Sequence, residues 1–92
     1  MDRITQKDLE YLVKTINQLT GSPETPYSKH GDTCTGNIGN YHLDYAYGGV
    51  NLVRMCNEGG GISQPLGGGF HTKRELYNRL TAFIYGLESA QK

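Results

Sequence analysis

The stretch Tyr41-His42-Leu43-Asp44-Tyr45-Ala46-Tyr47-Gly48-Gly49-Val50-Asn51-Leu52-Val53-Arg54-Met55 decides the fold. In its first seven residues Tyr41, Leu43, Tyr45 and Tyr47 alternate with His42, Asp44 and Ala46. A period of two marks a half-buried strand, because successive side chains leave a pleated backbone on opposite faces. Gly48-Gly49 reads as a tight hairpin turn, since glycine reaches positive φ without a Cβ clash. Val50, Leu52, Val53 and Met55 form the returning strand. Beyond them Asn57-Glu58-Gly59-Gly60-Gly61 is a second turn. Ile62 to Leu66 is a short third strand, and Pro65 places it at a sheet edge because proline cannot donate to a ladder. Tyr41, Tyr45 and Tyr47 share one face of the first strand, where core packing is expected.

Two helical patterns flank this sheet. On the N-terminal side Leu9, Leu12, Val13, Ile16 and Leu19 recur every three or four residues, so a helix with one apolar stripe is expected over about 5–19. Thr5 and Asp8 resemble its start signal, and Gly21 stands where a left-handed cap ends a helix. On the C-terminal side Thr72-Lys73-Arg74-Glu75 is a capping box. Leu76, Leu80, Phe83, Ile84 and Leu87 follow as a stripe, giving a helix over about 72–88. Residues 21–37 are punctuated by Ser22-Pro23, Thr25-Pro26, Gly31-Asp32 and Gly36, and an irregular loop is expected there. The order helix, three antiparallel strands, helix defines an α+β domain of two layers, αβββα, with the sheet over about 38–66 and both stripes on one sheet face.

Length and composition agree. Ninety-two residues suit a single domain. Apolar residues make up 36% and charged residues 20%, and nine basic side chains balance nine acidic ones. Such a balance argues against a disordered tail and against a strongly basic nucleic-acid binder, while leaving room for a local basic patch. No apolar run is long enough for a membrane-spanning helix. The first residues lack the apolar stretch of a signal peptide, so a reduced, cytoplasmic setting is expected. Thirteen glycines raise the entropy cost of folding, and seven tyrosines supply bulk, so self-association would help such a small core.

Few residues suggest chemistry. The soft ligands are His30, Cys34, His42, Cys56 and His71, and only His30-x-x-x-Cys34 has close spacing, so no metal or cofactor is expected. Cys56 lies among apolar residues and reads as a small buried hydrophobe. A cysteine beside a histidine could form a nucleophile and base, but no local motif supports catalysis. Gly67-Gly68-Gly69 precedes a helix as a phosphate loop would, without the Lys-Ser/Thr ending. That leaves a nucleotide-binding sponge or small enzyme as an alternative. The one concentration of positive charge is His71, Lys73, Arg74 and Arg79. With Tyr77 beside them, these residues are the candidate partner-binding site, because a helix start offers free amides and a dipole that attract anions.

Two resemblances add to this reading. The helix–three strands–helix order, with Lys73-Arg74 opening the last helix after a glycine-rich loop, resembles a double-stranded RNA-binding domain, which implies phosphate contacts at that helix start. The segments Asn37-Ile38-Gly39-Asn40-Tyr41-His42-Leu43, Ala46-Tyr47-Gly48-Gly49, Asn57-Glu58-Gly59-Gly60-Gly61 and Arg74-Glu75-Leu76-Tyr77 resemble small accessory proteins of tailed bacteriophages. Proteins of that size and class include inhibitors of bacterial defence, anti-CRISPR proteins among them. The likeness implies a non-catalytic protein in the host cytoplasm that binds a host protein or ribonucleoprotein complex, with possible direct RNA contact and possible homo-oligomers. It implies no catalytic residues.

Overall fold

A computed structural model of the chain describes residues 3–90. Helix α1 spans Gln6–Thr20, followed by strands β1 (Tyr27–His30), β2 (Thr33–Gly36), β3 (Tyr41–Ala46), β4 (Gly49–Met55) and β5 (Ile62–Ser63), and helix α2 spans Lys73–Ala90. Strands β3, β4 and β5 form an antiparallel sheet in that order. The fold is α+β, with both helices on one face of this sheet. Leu9, Val13 and Ile16 of α1 and Leu76 and Leu80 of α2 bury against Tyr41, Val50 and Leu52. Phe83, Ile84 and Leu87 extend the contact as half-buried residues.

Both helix starts follow their sequence signals. The Asp8 amide donates to Thr5 Oγ1 (3.2 Å), and the Thr5 amide donates back to Asp8 Oδ2 (2.9 Å). Gly21, at φ 68°, closes α1 in the left-handed region. In α2 the Glu75 amide donates to Thr72 Oγ1 (3.1 Å). The Glu75 carboxylate accepts from the Thr72 hydroxyl (3.1 Å).

The structure corrects the sequence reading in several places. The expected loop at 21–37 contains a second sheet: β1 and β2 pair antiparallel, from Tyr27↔Gly36 to His30↔Thr33, around a two-residue turn at Gly31-Asp32. Its only local signal is the Gly31-Asp32 turn, followed by β-favouring Thr33 and Thr35. Because neither face of this hairpin carries an apolar alternation, periodicity could not reveal it. It docks on the turn after β4, where the Gly36 amide donates to Glu58 O (2.8 Å). A Cβ at Gly36 would lie 2.7 Å from Asn57 O, so only glycine permits this approach.

The main hairpin turn lies one residue earlier than expected. Ala46 pairs with Gly49, so its central residues are Tyr47 (φ 53°) and Gly48 (φ 74°), both in the left-handed region. Gly49 opens β4 instead, and its glycine is required by space: a Cβ there would sit 2.8 Å from Phe70 Cβ. The turn carries Tyr47 off the sheet, leaving it 97% exposed, and Tyr45 is 45% exposed. Of the three tyrosines expected in the core, only Tyr41 is there. Its ring meets Phe83 edge-on at 5.9 Å, with the Arg54 guanidinium 5.2 Å from its centroid.

Strand β5 is shorter than expected, at two residues. After it the chain bulges away and returns at His71, which exchanges both main-chain hydrogen bonds with Val50 (2.9 and 2.8 Å). The bulge is tied down by buried Asn51, whose amide donates to Gly67 O (3.2 Å). Cys56 is exposed, contrary to expectation, as is Cys34. Strand β4 ends at Met55, and Cys56 continues the face of exposed Arg54, beyond the helices' cover.

Candidate functional site

The two helices run in the same direction. Gln6, which begins α1, and Arg3, just before its cap, lie beside Thr72, Lys73 and Arg74 at the start of α2. Near the other end of α1, Asn17 bonds Tyr41, which packs on Phe83 of α2. Two helix N-termini therefore meet at one end of the molecule, next to the Tyr47-Gly48 turn.

Between them opens a groove of about 840 Å³. Its walls are Arg3 and Gln6 on one side, Tyr45, Gly48 and Gly49 on another, and His71, Lys73 and Arg74 on the third. The chain is neutral overall, yet among the described residues the three charged ones that line this groove, Arg3, Lys73 and Arg74, are all cationic. Asp8, in the first turn of α1, and Glu75, next to Arg74, face into their own capping hydrogen bonds. Helix dipoles add positive potential at both N-termini. The His71 main chain is held by Val50, and its ring Nε2 is buried without a hydrogen-bond partner among the described residues.

The structure thus brings together three of the five candidate residues, His71, Lys73 and Arg74, and adds Arg3 from the segment that leads into α1. Sequence reasoning missed Arg3 because nothing local links it to a residue some seventy positions away. Arg79 and Tyr77 do not line the groove. Arg79 is exposed further along α2, and half-buried Tyr77 packs against the core. Gly67, Gly68 and Gly69 also stay outside it, and Phe70, His71 and Thr72 separate them from α2. Exposed Tyr47 stands at the rim with Phe70 at 5.9 Å, an aromatic pair beside a cationic floor.

A second, smaller groove of about 490 Å³ runs between α1 and β3, lined by Glu10, Val13, Lys14, Asn17, Leu43 and Tyr45 among others. Burial first, and the Glu10 carboxylate second, push the Tyr45 phenol above its ordinary pKa. On the opposite sheet face, desolvation holds the His42 imidazole below its usual pKa, with Asp44 opposing, and Nδ1 lies 3.0 Å from Asn40 Oδ1. Among the described residues, no three His, Cys, Asp or Glu side chains gather as a metal site. The His30 side chain, and with it the expectation on the His30–Cys34 spacing, lies outside the described residues. No described helix is long and apolar enough to cross a membrane.

Compared with protein-family models, with curated proteins and with solved structures, the chain matches none.

Proposed function

We propose that this protein is a non-catalytic binding domain whose helix-start groove grips the phosphate backbone of RNA carried by a ribonucleoprotein complex. The observation that supports it is the gathering of Arg3, Lys73 and Arg74 around one groove, with no acid among the described residues that line it, in a chain of zero net charge. Phosphates fit such a site because cationic side chains and helix-start amides both favour anions there. Tyr47 and Phe70 at the rim offer a ring on which an unpaired base can stack. The likeness to phage accessory proteins supplies the setting: a phage product that blocks a host defence complex, in the anti-CRISPR manner, by occupying its nucleic-acid-handling surface in the host cytoplasm.

A second reading, a domain for generic double-stranded RNA, is favoured by the two parallel helices on one face of a three-stranded sheet, with a cationic second-helix start. One experiment serves both. Fluorescence anisotropy with a labelled RNA hairpin and a labelled duplex is followed across salt concentrations for the native chain and for Lys73→Glu/Arg74→Glu, with melting curves as folding controls. With three phosphate contacts, log K against log salt should fall with a slope of about −2 to −3, and the double variant should lose about two of those contacts. Preference for the hairpin supports the first reading, and equal binding of an unbroken duplex the second. Undiminished affinity in the folded double variant refutes both.

A further inference from the structure

The outer edge of β3 has a main-chain arrangement that the cationic groove does not use. The Met55 amide donates to Asn40 O (2.8 Å), which sets the phase of the β3–β4 ladder. In an antiparallel ladder, alternate residues turn their N–H and C=O groups to the partner strand. With that phase and register, His42, Asp44 and Ala46 bond to β4, while Tyr41, Leu43 and Tyr45 face outward. Tyr41 is satisfied in an instructive way. Its N–H donates to Asn17 Oδ1 (2.8 Å) and its C=O accepts from Asn17 Nδ2 (3.0 Å). The Asn17 amide thus stands where the peptide group of a neighbouring strand would stand.

The next two outward residues have no such partner. Among the described residues, none bonds the outward N–H and C=O of Leu43 or Tyr45. These four groups face the 490 Å³ groove, whose opposite wall is α1. Val13, Leu43 and Tyr45 make part of that groove apolar, while Glu10, Glu24 and Lys14 give it one more acid than base.

We propose that this groove binds an extended, basic–apolar segment of a partner protein as an added strand antiparallel or parallel to β3, beginning where Asn17 leaves off. Main-chain bonds to Leu43 and Tyr45 supply the binding, as in other strand additions at a sheet edge. Alternate side chains specify the segment. An apolar one enters between Val13, Leu43 and Tyr45, and cationic ones meet Glu10 and Glu24. The charge also selects against a second copy of this chain, since two such edges would bring like-charged rims together. The site shares Tyr45 with the cationic groove, whose other lining residues it does not use, and does not rest on the RNA reading.

The test uses the isotopically labelled full chain and the peptide acetyl-Val-Lys-Val-Lys-Val-amide. On titration, the Leu43 and Tyr45 amides should shift and exchange with solvent at least about tenfold more slowly, while His42 and Asp44, already paired with β4, change little. Two isomers, N-methylated on the odd or on the even residues, should separate: one loses binding and the other keeps it, because only alternate amides face β3. The variant Tyr45→Pro deletes an outward N–H without touching the ladder and should weaken binding. Should it fail to fold, Glu10→Lys/Glu24→Lys must weaken binding of the basic peptide instead. The proposal is overturned if both methylated isomers bind equally, or if acetyl-Val-Glu-Val-Glu-Val-amide binds as well as the lysine peptide. It is also overturned if no edge amide responds, or if sedimentation finds a dimer in which Leu43 and Tyr45 are already protected.

Discussion

Replacing Asn17 by alanine should be among the most damaging single changes to a polar residue of this protein. Asn17 is only 2% exposed and sits on α1, yet it bonds both main-chain groups of Tyr41 at the start of β3. Removing it orphans an N–H and a C=O beside a largely buried ring. An unsatisfied buried group costs about 1–3 kcal/mol. Two would cost about 2–6 kcal/mol, but the adjoining groove admits water, which places the expected loss at about 2–4 kcal/mol. A chain of this length is stable by about 5–14 kcal/mol, at 0.05–0.15 kcal/mol per residue. The loss should therefore lower the melting temperature by more than about 8 °C, at 4–8 °C per kcal/mol for a domain of this size. Urea unfolding followed by circular dichroism measures it.

The isosteric change Asn17→Asp isolates the donor half of the contact. The carboxylate still accepts from the Tyr41 N–H, but its second oxygen faces the Tyr41 carbonyl, a repulsion that protonation removes. The pKa of Asp at 17 must then be higher in the folded than in the unfolded chain. Its stability deficit should be small below the unfolded carboxyl pKa, near 3.9, grow as pH rises, and level off above the folded value. A loss under about 0.5 kcal/mol for Asn17→Ala, the range of ordinary surface substitutions, or a flat pH profile for Asn17→Asp, would refute the bidentate role.

Gly49→Ala should destabilise by about 1–3 kcal/mol in urea unfolding, because the new Cβ overpacks against Phe70 and the His71 carbonyl. Tyr47→Asn should instead raise the melting temperature, since asparagine tolerates the left-handed conformation that tyrosine holds at a cost of about 1–2 kcal/mol. His42 is disfavoured as the cation in the folded state, so stability should fall as pH drops through its unfolded pKa near 6.5 and level off below the lower folded one. Melting curves between pH 8 and 5 should show this dip, and His42→Gln should remove it. Thr72→Ala should cost about 0.5–2 kcal/mol through loss of the α2 cap. Leu80→Ala, at a fully buried site, should cost about 2–5 kcal/mol, and chemical denaturation ranks the two.

The sequence alone determined the elements whose signals are local. The stripes of Leu9, Val13 and Ile16 and of Leu76 and Leu80, the boxes at Thr5 and Thr72, and the Tyr41–Met55 hairpin were legible because caps and periodicity act within one or two turns. The run of positive charge at His71, Lys73 and Arg74 was legible too, because those residues are neighbours in the chain. The tertiary structure decided what depends on distant partners. The polar β1–β2 hairpin forms where its Gly36 end can dock on the Asn57–Glu58 turn, which no periodicity encodes. Asn17, Asn40 and Asn51 look like ordinary polar residues in the chain, but each is buried and binds the main chain of a segment at least sixteen residues away. Arg3 joins Lys73 and Arg74 because packing both stripes on one sheet face aligns the helices in parallel. Proximity of their starts follows from that packing, and the local free energies that a sequence displays say nothing about it.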